Sequence, residues 1–284
     1  GLPLAALLRT AGMMRTRCQR PRLTMIGHYL TPPKKKRMMR ALGLARVIDG
    51  IALHSPVQAP HARDAGFTEA QTPVIPYQVD TEFWQPQERA LDDIICASGM
   101  EFRDYATLIE AARGLPVRVE IGAGSPWSKR RINYDGALPG NVNVARYNYT
   151  GIRDLYARSR FVVVPVQDVD FQAGIIAILE SMAMGKAVIV TRTRGQVGTV
   201  SGPLFTSRGA DSEIIDQPDY HANGIYVPPG DPAAMRAVIE HLLAHPDEAA
   251  RMGANGRRMV TEQMRIERFA ERMAAFIRGD GVTA

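Results

Sequence analysis

Residues 161–190 read FVVVPVQDVDFQAGIIAILESMAMGKAVIV, and this stretch decides the fold class. It begins and ends with short apolar runs, Phe161–Val164 and Ala187–Val190, which are typical of buried strands. Between them, residues from Ala173 to Met184 carry apolar side chains at helical spacing. Short, wholly apolar strands on either side of a helix are typical of a parallel sheet that is covered on both faces. The sequence therefore predicts an α/β fold, with ligands bound at the carboxyl ends of the strands.

The alternation of strand and helix continues on both sides of this stretch. Apolar runs bounded by glycine or by polar residues predict further strands, and apolar residues at helical spacing predict further helices. The additional predicted strands are Asp93–Ser98, Val117–Ile121, Leu23–Ile26 and Ile51–Leu53, and the additional predicted helices are Tyr105–Arg113, Ile152–Ser159 and Lys34–Ile48.

Two prolines between Pro73 and Asp80, followed by Trp84, Pro86 and a cluster of charges, indicate a connection between domains. We therefore predict a first lobe over residues 1–86 and a second lobe over residues 87–262. The last segment, residues 263–284, is expected to form a helix that packs back toward the first lobe.

Length and composition exclude several classes of protein. The chain has 284 residues, of which 45% are hydrophobic and 23% charged, as in an ordinary globular protein. Its cysteines, Cys18 and Cys96, are too few for a disulfide scaffold or a four-cysteine metal site, which favours a reducing, cytoplasmic setting. No run of 18 apolar residues occurs, so the sequence predicts no membrane-spanning helix.

Positive charge is concentrated at the start of the chain. Residues 1–46 contain eleven Lys and Arg and no Asp or Glu, whereas the whole chain has a net charge of +6. Within this region Lys34, Lys35, Lys36 and Arg37 begin the predicted helix Lys34–Ile48. Three interpretations stay open: a solvated helix packed on its own sheet, contact with an anionic membrane at the inner face, or nucleic-acid binding. No nucleic-acid recognition motif accompanies the charges, so we expect no nucleic-acid partner.

The helix after the strand Phe161–Val164 is the best candidate for a binding site. Its amino-terminal N–H groups, on Ala173, Gly174 and Ile175, are expected to face the cleft, where the helix dipole favours an anion. Two turns along, Glu180 stands among apolar residues, where a carboxylate is costly without a partner. Sugar or ribose hydroxyls are suitable partners, because an ionised carboxylate accepts hydrogen bonds. An internal salt bridge to an arginine is the alternative.

Other polar residues near strand ends have two interpretations each. Asp168 and Asp170 form a carboxylate pair of the kind that binds Mg²⁺ or Mn²⁺, or they are simply the loop before the helix; we favour the loop. His28 follows the predicted strand Leu23–Ile26 and is either a structural histidine or a donor to a ligand hydroxyl or phosphate.

Several motifs, in the same order along the chain, resemble those of family 4 glycosyltransferases, which are retaining enzymes of the GT-B architecture. The segment Glu180–Val188 is similar to the second half of the family's donor-binding signature, and Gln172 stands where the family has its first glutamate. The other similar segments are Val79–Phe83, Ser98–Tyr105, Leu108–Ala112 and Gly224–Asp231. The resemblance covers about residues 22–280 and implies two Rossmann-like lobes, of which the C-terminal lobe binds the donor. The N-terminal, acceptor-side lobe is shorter than the family's, so we expect it to be partial.

The resemblance also implies roles for particular residues. Glu180 is expected to bind the ribose of the donor nucleotide, Arg146 and Tyr147 lie where the family holds the nucleobase, and His28 is the catalytic candidate facing the donor sugar. Family members usually place an arginine and a lysine on the diphosphate. Here Met100 falls near the position expected for the arginine, and Arg103 can stand for the lysine. Lys129, Arg130 or Arg146 would therefore have to supply the second cation. The donor-binding residues that the resemblance implies are Arg103, Gln172, Ala173, Gly174, Ile175 and Glu180.

The function implied is hexosyl transfer from a nucleotide-sugar to an acceptor hydroxyl, on a glycan or a lipid-linked molecule, with retention at the anomeric carbon. We expect no cofactor and no obligatory metal, and a place in polysaccharide biosynthesis. The alternatives are a related nucleotide-sugar reaction in the same cleft and a catalytically impaired lobe that binds nucleotide or serves as a membrane-associated scaffold.

Overall fold

The structure, a computed structural model, describes residues 2–5, 22–124, 134–206 and 221–280. The chain divides into two compact units, one formed by Gly1–Tyr77 with Ile266–Ala284 and the other by Gln78–Arg265. No helix within the described residues combines the length and the apolar character needed to cross a membrane.

The strands of both units are short and parallel. They are β1 (Thr24–Gly27), β2 (Gly50–Leu53), β3 (Ile94–Ser98), β4 (Arg118–Gly122), β5 (Val142–Ala145), β6 (Val162–Val164), β7 (Val188–Thr191) and β8 (Gly224–Val227). The helices that alternate with them are α1 (Pro33–Ala41), α2 (Ala59–Asp64), α3 (Tyr105–Ala112), α4 (Tyr149–Arg158), α5 (Ile175–Ala183), α6 (Pro232–Ala244), α7 (Pro246–Gln263) and α8 (Ile266–Arg278). The basic helix α1 is shorter than predicted, because the chain turns at Gly43 before a 3-10 turn at Leu44–Arg46.

The second unit is a six-stranded parallel sheet with the order β5-β4-β3-β6-β7-β8. Every residue of β3, β6, β7 and β8 is buried, which agrees with the apolar runs in the sequence. One large core joins these strands to helices α3 and α6. The chain leaves β3 toward one edge of the sheet and returns at β6 to build the other edge. The loops after β3 and β6 therefore diverge and leave a crevice at the carboxyl ends of these two strands.

The first unit has a smaller core. Strand β1 pairs with β2 in parallel, and Val74 forms a parallel bridge with Leu53 on the other side of β2. Helix α8 belongs to this unit, where Phe276 packs with Ala52 and Ile75.

The observed limits of the units differ from the predicted residues 86 and 262. Segment 78–86 belongs to the second unit because backbone and side-chain contacts hold it there: the Val79 N–H donates to Met264 O (2.9 Å), and the Trp84 ring lies 5.7 Å from that of Tyr156. Arg257, on α7, also donates to the carbonyl oxygens of Thr81 (3.2 Å) and Trp84 (2.9 Å). Residues 78–86 of the proline-containing connection are thus held to the second unit by hydrogen bonds and ring contacts.

Arg257 provides a test of this anchoring, since it also donates to Ala183 O at 2.8 Å. We expect Arg257→Met to destabilise the protein by about 1–3 kcal/mol, because several carbonyl groups lose their donor while the aliphatic stem is kept. Chemical denaturation measures the change in the free energy of unfolding. Arg258→Met is the matched control, because Arg258 bonds to Asn255 alone among the contacts resolved for its guanidinium. Equal losses of stability in the two variants would contradict the role of Arg257 in anchoring segment 78–86.

Candidate functional site

Helix α5 begins in close contact with strand β6. Its N-cap, Gly174, has φ of 81°, and a Cβ there would come within 2.9 Å of Val164 and Val166. Only glycine fits this left-handed, close-packed position without strain. The helix therefore begins at Ile175, two residues later than the sequence predicted.

The later start changes which amide groups can reach a ligand. The N–H of Ala173 donates to Phe171 O (2.7 Å) and that of Ile175 to Gln172 O (3.4 Å), so these two groups are already bonded within the turn. The N–H of Gly174 has no acceptor among the described residues. Of the three amides predicted to face the cleft, that of Gly174 is therefore the one that remains for an anion, and the helix dipole favours an anion there.

Arg103 lies beside the same helix terminus. Its Nη1 is 3.3 Å from the position of a Cβ on Gly174, and its side chain is 9% exposed. The guanidinium donates through Nε to Ser98 O (2.9 Å) and through Nη1 to Glu101 O (3.0 Å). A side chain on Gly99 would collide with this guanidinium, so the glycine after β3 makes room for it. These backbone contacts hold a buried cation at the amino terminus of α5.

Glu180 is the sixth residue of α5. It lies close enough to Arg103 for their charges to interact. Burial raises the pKa of Glu180 to about 8, and the positive charge of Arg103 opposes this rise. Burial also raises the pKa of Tyr156 well above its usual range, and the charge of Glu180 adds to that effect. The carboxyl group is therefore largely protonated at neutral pH, and the internal salt bridge considered from the sequence does not offset its burial.

Ser98 and Tyr156 complete this part of the site, and sequence reasoning missed both. Their hydroxyl oxygens are 2.5 Å apart at the carboxyl end of β3. The sequence contains only part of the information needed to find this pair. Ser98 ends a predicted strand, but Tyr156 is 58 residues away in the chain, so no local pattern links the two.

Gln172 anchors a loop that follows β7. Its Nε2 donates to Val197 O (3.1 Å) and Thr199 Oγ1 (3.4 Å), and its side chain is buried. From the same loop, Gln196 donates to Ala173 O. Sequence reasoning did not single out Gln196, because no regular spacing links it to the helix. The residues Gln172 and Ala173, predicted to hold the donor, thus also hold the loop 193–199 against the start of α5.

Arg146 and Tyr147, predicted to lie near the nucleobase, follow strand β5 at the same end of the sheet. Tyr147 is half-buried and its hydroxyl donates to Glu120 Oε2 (3.4 Å). Arg146 is exposed and lies beside Gly124, near the end of β4. Lys129 and Arg130, considered as further cations, lie outside the described residues.

One arginine forms ion pairs with both Asp168 and Asp170. Arg194 contacts Asp168 at 3.6 Å and Asp170 at 3.0 Å, and its backbone N–H donates to Asp168 Oδ1 at 3.3 Å. These contacts favour the interpretation of this segment as a loop that ties β6 to the chain after β7, rather than as a metal-binding pair.

In the first unit, His28 is part of an aromatic cluster at the ends of β1 and β2. Its Nδ1 is 2.7 Å from Tyr77 Oη, and its ring centroid is 4.9 Å from that of His54. His54 is buried, and its Nδ1–H donates to Ile75 O (2.8 Å). Burial lowers the pKa of both histidines, and the charge of Lys35 contributes to the effect on His28. Burial also raises the pKa of Tyr77 to about 12, so this phenol remains a hydrogen-bond donor.

The fold is that of a two-unit α/β protein with parallel sheets and a crevice at the carboxyl ends of β3 and β6 in the second unit. A family model described as glycosyl transferases group 1 matches residues 94–245, more than half of the chain. The chain belongs to this family and is a glycosyltransferase, as the motifs in the sequence predicted.

Solved structures agree with this fold. HepE from Anabaena in complex with UDP has a TM-score of 0.73 and 15% identity, over 98% of this chain and 77% of that chain. The same protein in complex with UDP-glucose has a TM-score of 0.72 and 14% identity, with the same coverage of both chains. Sucrose-phosphate synthase from Thermosynechococcus elongatus has a TM-score of 0.70 and 21% identity, over 96% of this chain and 71% of that chain. These likenesses confirm the predicted GT-B-like α/β fold. A search among curated proteins found no match.

Glu180 makes the stability of the protein depend on pH. Its pKa is about 8 in the folded chain, against an ordinary value of 4.5. Between these two values the folded state holds a proton that the unfolded state has lost, so stability falls as pH rises. In Glu180→Gln the neutral amide removes this loss. We expect the variant to exceed the wild type by about 1–3 kcal/mol at pH 8, and by much less at pH 5.

Thermal unfolding at the two pH values measures this difference. At about 2–4 °C per kcal/mol for a unit of this size, the gain in Tm at pH 8 is readily resolved. Glu110→Gln is the control, because Glu110 is exposed and paired with Arg113. A gain in Tm for Glu180→Gln that is the same at both pH values would contradict a raised pKa.

Proposed function

We propose that this glycosyltransferase takes its sugar from a nucleoside diphosphate sugar bound at the start of α5. The observation that carries the proposal is that Arg103 and the N–H of Gly174 meet at the start of α5, with Glu180 further along the same helix and within reach of the charge of Arg103. A buried cation and a helix amino terminus suit a diphosphate. A carboxyl group two turns further suits the ribose hydroxyls, with which it can exchange hydrogen bonds.

UDP is the first nucleotide to test. HepE, whose fold this chain shares, has been crystallised with UDP and with UDP-glucose. Arg146 and the half-buried Tyr147 follow strand β5, beside the end of its neighbour β4, and we propose that the nucleobase binds there.

Catalysis in this proposal is electrostatic. As the bond between the anomeric carbon and the diphosphate breaks, negative charge accumulates on the leaving phosphate oxygens. The guanidinium of Arg103 is held by two backbone carbonyls, so it needs little reorganisation to stabilise that charge. Retention at the anomeric carbon, a sugar or lipid-linked acceptor hydroxyl and independence of metal ions are further parts of the proposal. In the first unit, His28 is our candidate for contact with the transferred sugar.

The two halves of the donor site can be tested separately with UDP and uridine. We expect Arg103→Met to weaken UDP binding about 10–100-fold, because a charge-assisted hydrogen bond to the diphosphate is lost, and to leave uridine binding unchanged. Glu180→Ala is expected to weaken both, because both ligands carry the ribose. Isothermal titration calorimetry, with and without EDTA, measures the affinities and the metal dependence.

Arg113→Met is the control, since Arg113 is exposed and paired with Glu110. Unchanged UDP affinity in both site variants would overturn the donor site. UDP binding without release of UDP from UDP-glucose, in the presence of candidate acceptors, would favour the nucleotide-binding alternative over the enzyme. Where transfer occurs, NMR of the anomeric proton in the first product distinguishes retention from inversion.

Helix α1 favours a second activity, contact with an anionic membrane. Its basic residues are divided by their contacts: Lys35 Nζ donates to Tyr29 O (2.7 Å) and Lys36 forms an ion pair with Asp64 (2.9 Å). Lys34 and Arg37 are exposed instead, beside two exposed apolar side chains, Met38 (43%) and Leu42 (39%).

Lys34, Met38 and Leu42 follow one another at intervals of four residues, so they share a face of the helix. Apolar side chains flanked by exposed cations are suited to the interface of an anionic bilayer. We propose that this face makes peripheral contact with the membrane, which would bring a lipid-linked acceptor to the enzyme.

Vesicle sedimentation tests this contact. We expect the wild type to bind vesicles with anionic lipid and not neutral vesicles, and 0.5 M salt to weaken the binding through screening. Neutralising both Lys34 and Arg37 to Gln should reduce binding about 30-fold, at roughly 1 kcal/mol for each charge near the surface. Arg89→Gln with Arg118→Gln removes the same charge from the second unit and should have little effect. Equal losses in both double variants would show that net charge, not this helix face, is responsible.

A further inference from the structure

Three metal-binding side chains meet at the corner where α6 turns into α7. His241 lies in the last turn of α6, His245 connects the two helices, and Glu248 lies in the first turn of α7. Each offers one ligand atom, and the three atoms lie within 4.8 Å of one another. The described residues contain no other group of three His, Cys, Asp or Glu side chains that meets this condition.

Hydrogen bonds orient both imidazoles. The Nδ1–H of His245 donates to His241 O (2.8 Å), which leaves Nε2 of a neutral His245 ring with its lone pair free. A backbone carbonyl on the second ring nitrogen is the usual partner of a metal-binding histidine. The Nε2 of His241 lies 2.9 Å from Glu248 Oε2, and the two rings stack with centroids 4.3 Å apart. The donor atoms are thus held close together before any ion binds.

The donor set indicates the class of ion. Two imidazole nitrogens and one carboxylate oxygen suit Zn²⁺ and similar transition metals, whereas Mg²⁺ and Ca²⁺ prefer oxygen ligands alone. We propose that His241, His245 and Glu248 form a Zn²⁺ site, in which the ion replaces the proton that His241 shares with Glu248. Movement of the side chains by about 1 Å brings the donor atoms from their present separations to those of a Zn²⁺ complex.

This site is separate from the donor site. Helix α6 begins after the carboxyl end of β8 and runs back along the sheet, so its last turn lies at the opposite edge, where the strands begin. Leu242 and Ala249, one on each helix beside the proposed ligands, line a cavity with Phe161 and Lys186, which lie one residue before β6 and two residues before β7. An ion at this corner takes no direct part in sugar transfer; it joins the ends of two helices and stabilises the second unit.

Zn²⁺ binding to the untagged, chelator-treated full chain tests the proposal. We expect one Zn²⁺ per chain by calorimetry and a saturable rise in Tm, because an ion that binds the folded state alone stabilises it. Co²⁺, used as a spectroscopic substitute, should give visible absorption typical of a four- or five-coordinate complex. His245→Ala and Glu248→Gln should each weaken Zn²⁺ binding by about tenfold or more.

Glu240→Gln is the matched control, because Glu240 lies on α6 one position before His241 and pairs with Arg236. It should leave Zn²⁺ affinity unchanged. Circular dichroism of the metal-free variants verifies that they fold, and His245 is exposed, so His245→Ala removes little packing. Absence of Zn²⁺ binding by the wild type, equal Zn²⁺ affinity in His245→Ala, or displacement of Zn²⁺ by millimolar Mg²⁺ would each overturn the site. UDP affinity plays no part in this test, so its outcome is independent of the proposed donor site.

Discussion

The packing of Gly174 against Val164 and Val166 is the contact on which the candidate donor site depends. Because no side chain intervenes, the first turn of α5 can approach the end of β6 closely, and the N–H of Gly174 has no acceptor in the described part of the chain. Arg103 occupies the remaining space beside this turn. Interiors are packed too tightly to absorb even one added methyl group at such a position without movement of the neighbouring chain. The position of the cation, the helix terminus and the loop after β3 are therefore set together.

The second constraint is electrostatic. Glu180 is buried in a largely apolar setting near the positive charge of Arg103, and the balance of these two effects leaves the pKa of its carboxyl group at about 8. A site of this kind stores unfavourable free energy in the absence of ligand, which hydrogen-bonding hydroxyl groups would relieve. Arg103 acts in the opposite direction through its positive charge, while its guanidinium also donates to the carbonyl oxygens of Ser98 and Glu101. If the donor binds here as proposed, its binding and the protonation of Glu180 are expected to be linked.

Much of the second unit could be predicted from the sequence. The buried strands β3, β6 and β7 have wholly apolar runs, and helix α5 has apolar residues at helical spacing, so local pattern and burial agree. Strands β5 and β8 were missed, because β5 is partly exposed and β8 is short and contains a glycine and a tyrosine. The observed limit between the units lies at residue 77 instead of the predicted residue 86. It differs because contacts of Trp84 and Arg257, which are far apart in sequence, hold segment 78–86 to the second unit. Proline content indicates a connection but does not say which core it packs on.

The sequence by itself determined the parallel α/β fold, the family and the choice of Arg103, Gln172 and Glu180 as candidates, because these follow from local runs and from motifs at fixed spacing. Only the tertiary structure decided which atoms are available to a ligand. It showed that the N–H groups of Ala173 and Ile175 are already bonded and that Arg194 pairs with Asp168 and Asp170. It also showed that Lys35 and Lys36 have polar partners, whereas Lys34 and Arg37 are exposed. The physical reason is that hydrogen bonds and ion pairs depend on distance and direction across the fold, whereas propensity and spacing act along the chain.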